Sequence, residues 1–184
     1  MIRTQAGAGA PVTAAIRSAC AADAAALSDF FAGLSQQTRY LRFFSPVTPG
    51  PGLLRRMSGG DGHADAVVAV RGGVIIGHAM AVDLVGPQGA RTADVGVVVA
   101  DAWQGRGVGL ALMRALITGA QARGVSSLTM DVLPGNRRML AMIADHWSAA
   151  RIEDSADFVS FRIRLPRRRQ QRPQAQPAAL ASAG

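Results

Sequence analysis

Residues 94–113 run from an apolar stretch, Val95 to Ala100, through a short polar turn into Gln104-Gly105-Arg106-Gly107-Val108-Gly109, and then into an apolar helix pattern. This order constrains the fold more than any other feature of the chain. The β-branched run predicts a buried strand from Thr92 to Ala100, and the periodicity predicts a helix from about Val108 to Ala122, ended by Gly124. That helix carries Arg114 as its only charge, so it is expected to be buried on most sides. Between the two elements, alternating glycines leave several backbone N–H groups unobstructed at the positive end of a helix dipole. Such a loop is suited to a phosphate or pyrophosphate.

The flanking elements narrow the topology. Val12 to Ala19 reads as a first strand, Ala21 to Leu34 as a helix, and Thr38 to Pro46 as a short amphipathic piece stopped by proline; Leu53, Leu54 and Met57 suggest a further helical turn. Ala66 to Arg71 and Val74 to Val85, joined by Gly72-Gly73, form an antiparallel hairpin, and Gly86-Pro87-Gln88-Gly89 turns the chain into the next strand. After the glycine loop come a strand from Ser127 to Leu133 and a helix capped by Asn136 with Met139, Leu140, Ile143 and Trp147 as its stripe. One or two strands from Ile152 to Leu165 follow. Hairpins without intervening helices exclude a wholly parallel doubly wound sheet and predict a mixed sheet in an α/β (α+β) domain. The expected organisation is an N-terminal arm at 1–10, one domain at 11–165, and an Arg/Pro/Gln/Ala-rich disordered tail at 166–184.

Composition excludes several classes. The net charge of +8 comes from arginine alone, because the chain contains no lysine, and four of the arginines fall in 166–184. Such a tail is expected to be solvated rather than a nucleic-acid arm. One cysteine rules out an internal disulfide framework, and His63, His78 and His146 lack metal-ligand spacing, so no metal is expected. No apolar run is long enough to span a bilayer, and Arg17 interrupts the apolar stretch near the N-terminus, which predicts no membrane anchor and a cytoplasmic location. Without lysine the loop cannot be a Walker-type P-loop. A dinucleotide site is favoured by Asp131, which lies 22 residues after Gly109. It is opposed by Leu110 in place of the third glycine and by the four residues separating strand from loop.

Gln104-Gly105-Arg106-Gly107-Val108-Gly109, with its strand, its helix and Asn136, resembles the Q/R-x-x-G-x-G/A motif of the GNAT N-acetyltransferases. The resemblance covers roughly residues 11–165. Arg39-Tyr40-Leu41-Arg42-Phe43-Phe44 is similar to a segment of the GNAT domains of bacterial protein-lysine acetyltransferases. The resemblance implies a mostly antiparallel sheet of six or seven strands with about four helices, and acetyl-CoA as co-substrate without a metal. It implies transfer to a primary amine, in a small molecule or a protein lysine, by a monomer or homodimer. The backbone of Gly105, Arg106, Gly107, Val108 and Gly109 would hold the pyrophosphate, Gln104 would close the turn, and the Arg106 side chain could add charge. The main chain of Val97, Val98 and Val99 would pair with the pantetheine arm, and Asn136 would lie near the thiol. Asp94 stands where these relatives carry a glutamate base. The usual tyrosine acid is missing from the last helix, where His146 is the nearest substitute. That departure keeps a second possibility open, a non-catalytic acyl-CoA sensor or scaffold.

Overall fold

The computed structural model describes residues 14–59, 64–85, 91–147, 151–154 and 157–166. The expected arm at 1–10, the turn at Gly86–Gly89 and all of the expected tail beyond Pro166 lie outside the described residues. Seven strands form one sheet in the order β1-β2-β3-β4-β5-β7-β6. They are β1 (Ala15–Ser18), β2 (Ala64–Arg71), β3 (Val74–Val85), β4 (Arg91–Val99), β5 (Ser127–Val132), β6 (Arg151–Asp154) and β7 (Val159–Arg164). Among the described residues only β4 and β5 pair in parallel. Five α-helices accompany the sheet among the described residues, one more than expected: α1 (Ala24–Ala32), α2 (Gln36–Phe43), α3 (Pro51–Met57), α4 (Val108–Ala122) and α5 (Arg137–His146). The extra helix is α3. Pro51 at its first position needs no hydrogen-bonded N–H, so a seven-residue segment that reads as a single turn closes into a helix.

The Gly72-Gly73 turn has φ of +55° and +79°, the pair of left-handed residues that a tight hairpin of this hand requires. One face of the sheet packs against α4 and α5 through Val95, Val97, Leu112, Leu116, Met130 and Ile143. The other packs against α1 and α3 through Val68, Met80 and Val98 with Leu27, Phe31 and Met57. Helix α4 comes close to β3 because Gly77 has no side chain: a Cβ there would stand 2.9 Å from Leu112 Cδ1. Its buried stripe is Val108, Leu112, Met113, Leu116 and Ala120, while Arg114, Thr118 and Ala122 are exposed. The helix is thus enclosed on most sides, as its composition predicts, with solvent reaching one narrow stripe.

The feature that positions the site is a divergence. β4 and β5 pair only at Thr92–Asp94 against Ser127–Thr129. Beyond Asp94, β4 stays paired with β3 as far as Val99 opposite Gly77, so its other edge is open. The N–H of Ala100 donates to Ile76 on the β3 side, and alternation along the strand then turns the main chain of Val95, Val97 and Val99 to the open edge.

Candidate active site

The opening between β4 and β5 holds two adjoining voids. A groove of about 810 Å³ is lined by Val97, Val98, Val99, Gln104, Gly105, Gly107, Gly109 and one side of α5 along its length. A smaller cavity of about 280 Å³ is lined by Arg42, Phe44, Asp94, Gly96, Asp131 and Asn136 among others. Arg42, Val97, Asn136 and Met139 line both, so the two spaces meet over the middle of β4.

The glycine loop has the conformation its sequence predicts. Gly105 and Gly107 take φ of +71° and +81°, a region that side chains with a Cβ resist, and a Cβ on either would meet no atom within 4 Å. Gly107 caps α4 without a side-chain hydrogen bond, so the first N–H groups of the helix stay available. The loop is tied down by Gln104, whose Nε2 donates to the Val99 carbonyl at 3.0 Å and to Thr38 Oγ1 at 3.1 Å, while Arg138 donates to its Oε1.

The remaining expected residues divide. Val97 and Val99 face the open edge with their main chain, as expected for a strand-like ligand. Val98 differs: its main chain faces β3, because peptide groups alternate in direction, and only its place in the groove wall remains. Arg106 stacks on Trp103, 5.2 Å from the ring centroid, and does not line the groove; Arg71 stacks on the same ring at 4.7 Å. Val108 contributes only backbone, since its side chain is in the core. Asn136 caps α5 by accepting from Met139 N at 3.2 Å and also lines both voids.

Asp94 lies in the smaller cavity, opposite Val82 on β3 and Thr129 on β5. Thr129 Oγ1 donates to its Oδ1 at 3.5 Å. Burial pushes its carboxyl above the ordinary value, and the Asp131 charge adds to this; Arg42 and Thr129 pull the other way. Asp94 is exposed on its cavity side and partly enclosed on the others, and that partial enclosure is what raises the basicity of a carboxyl. His146 and Asp145 line the far end of the groove.

A family model for the GNAT acetyltransferases matches residues 34–146, which hold the glycine loop, the open edge of β4 and Asp94. The chain belongs to the GNAT acetyltransferase family. Among solved structures of this fold, the GNAT domain of PAT from S. lividans is 26% identical and superposes with a TM-score of 0.74, over 83% of this chain and 90% of that one. The structure of yncA from Salmonella typhimurium, solved with acetyl-CoA, has a TM-score of 0.65 at 17% identity, over 90% of this chain and all of that one. A cAMP-binding acyltransferase from Mycobacterium smegmatis is 26% identical with a TM-score of 0.55; 83% of this chain matches 44% of that one. No curated protein matches the chain at significant similarity.

Against this GNAT frame, the sequence reading missed Arg137 and Arg138, which reach the groove from the first turn of α5. Two arginines at a helix N-terminus oppose the helix dipole. That misplacement was a readable signal for an anionic ligand. Ser35, Thr38 and Asp101 were also missed, because they act only through one another. Asp101 Oδ1 accepts from Ser35 Oγ and Thr38 Oγ1, both at 2.7 Å, and its Oδ2 accepts from Ser35 N at 3.0 Å. These bonds dock the start of α2 on the segment that follows β4.

Proposed function

We propose that the protein transfers an acetyl group from acetyl-CoA to a primary amine by direct attack, with Asp94 as general base. The observation that carries this reading is one continuous surface. Uncapped N–H groups at Gly105–Gly109 lead along the open edge of β4, past the junction of the voids at Val97, to a carboxylate with raised basicity. The pyrophosphate is held by the loop and the α4 dipole, with Arg137 and Arg138 adding charge. The pantetheine amides pair with the main chain of Val97 and Val99, adding a strand to the sheet. The amine enters through the smaller cavity.

An ammonium group reaching that cavity gives a proton, through water, to Asp94. The freed lone pair forms the C–N bond, the nitrogen gives up its second proton to water as the C–S bond breaks, and the thiolate of CoA leaves with the electron pair and takes up a proton from Asp94 or solvent. Gln104 and Asn136 hold loop and helix in place for this geometry. The likeness to PAT, with the Arg39–Phe44 segment, makes a protein lysine a suitable acceptor; small amines fit the cavity equally well. We further propose a cytoplasmic protein, monomeric or homodimeric. Among the described residues no helix is long and apolar enough to cross a membrane.

The test is a thermal-shift titration with acetyl-CoA, followed by a screen of amines and lysine peptides with free-thiol detection. Saturable stabilisation and CoA release are expected, and D94N should reduce turnover at least about 100-fold while binding acetyl-CoA normally. One observation favours a second reading, an acyl-CoA sensor: helix α5 contains no tyrosine to protonate the thiolate. Tight binding with no acetylated amine would select it.

A further inference from the structure

Arg42 is a half-buried charge, with its Nε fully enclosed, that the mechanism above does not use. It extends from the last turn of α2 into the smaller cavity and stacks on Phe43 at 5.0 Å from the ring centroid. Its guanidinium lies directly on Gly96: a methyl group at that position would overlap Cζ and both terminal nitrogens. Its Nε is buried without a hydrogen-bond partner, and no carboxylate among the described residues forms an ion pair with it. Enclosing a guanidinium N–H without a partner is unfavourable, so a fold that keeps one there has a use for the cation.

Its neighbour supplies the use. Asp94 and Gly96 are two apart on β4 and face the same side of the sheet. The guanidinium therefore stands beside the Asp94 carboxylate, close enough to act on it through space and too far to bond it. On β5 the groups facing Asp94 are the Thr129 hydroxyl and Asp131, whose Oδ1 accepts from Ser160 Oγ at 2.6 Å; Arg162 lies opposite Thr129 on β7, and the residue opposite Asp94 on β3, Val82, is apolar.

We propose that Arg42, seated on Gly96, is a positioning residue: the unpaired counter-charge that makes Asp94 a working base in the presence of Asp131. This rests on Asp94 being the base. Burial and the Asp131 charge both push the Asp94 carboxyl up, and a carboxylic acid cannot accept the proton of the acceptor ammonium. Arg42 offsets one of the two charges. Burial pulls Arg42 itself down to about 10, so it is cationic at neutral pH. A direct salt bridge would occupy the carboxylate oxygens and depress their basicity further; the offset geometry leaves them free for water and the ammonium. The absent side chain at Gly96 creates the seat.

The test is a ¹³C NMR titration of the aspartate carboxyls in the full chain, with D94N assigning the Asp94 signal. R42M is expected to raise the Asp94 midpoint by about one pH unit or more, and R42K to keep it within a few tenths. G96A, which keeps the arginine but removes its seat, should reproduce the R42M shift, and should add nothing to it in the double variant. Where transfer is measured, the acidic limb of kcat should move with the same midpoint. An unchanged midpoint in folded R42M or G96A would overturn the proposal, as would additive effects in the double variant. The titration needs no turnover, so an inactive wild-type chain would count against the acetyltransferase reading and leave this result standing.

Discussion

Asp101 Oδ1 accepts a 2.7 Å hydrogen bond from Thr38 Oγ1, and the same hydroxyl accepts from Gln104 Nε2 at 3.1 Å. One threonine on α2 thus connects the segment after β4 to the glutamine that anchors the glycine loop. Through α2, the same connection holds Arg42 over Gly96, one turn further along.

T38V keeps the shape of the side chain and removes both bonds. It should lower stability by about 1 kcal/mol in urea unfolding, the ordinary worth of a partly buried hydrogen bond. It should also raise the KM for acetyl-CoA severalfold, because Gln104 loses a partner. Normal stability with normal KM would show that the hydroxyl is idle.

Gly107 has φ of +81°, and a Cβ there would meet no protein atom. Alanine must therefore adopt a left-handed conformation without a steric clash in the free protein, at about 1 kcal/mol. G107A should fold with a slightly lower Tm, while its affinity for acetyl-CoA falls about tenfold or more, since the methyl lies where the pyrophosphate must approach. Calorimetric titration compares the two effects, and equal losses in both would remove the loop from the binding role.

Arg137 is exposed at the start of α5 and lines the groove. R137Q should weaken acetyl-CoA binding several-fold in low salt and reduce its salt dependence. Because the substitution also relieves repulsion with the helix dipole, thermal stability of the free protein should stay level or rise slightly. Differential scanning calorimetry with and without acetyl-CoA separates these effects, and unchanged affinity would place the charge outside the cofactor site.

His78 gives the fold a pH dependence of its own. The ring is fully buried against Phe31, with Nε2 2.9 Å from the Met57 carbonyl, and burial lowers its pKa to about 4 from 6.5. The unfolded chain takes up the proton first, so stability is complete above about pH 6.5 and declines as the pH falls toward 4. The full difference amounts to about 3 kcal/mol. Asp94 works in the opposite sense, since its raised pKa makes the folded form bind its proton more readily. Urea unfolding of the wild type and H78Q across pH 4–7 isolates the histidine, and parallel curves for the two would exclude it.

Local elements were legible because their causes are local. Helix α4 runs from Val108 to Ala122 as read, and Asn136 caps α5 through Met139 N. The hairpin at Gly72-Gly73 needs only its two left-handed glycines. The departures have a common origin. The direction of the Val98 peptide and the stacking of Arg106 on Trp103 depend on which neighbour arrives, which periodicity and composition leave open.

The sequence by itself determined the strand, glycine loop and helix from Asp94 to Met113, and with them the family and the class of ligand, because turn conformation and helix capping depend on residues adjacent in the chain. Tertiary structure alone decided where β4 parts from β5 beyond Asp94, that Arg42 on α2 occupies the space left by Gly96, and that Arg137 and Arg138 face the groove. Those relationships join residues dozens of positions apart. They arise from the packing of both faces of one sheet, which places an unpaired arginine beside the Asp94 carboxylate.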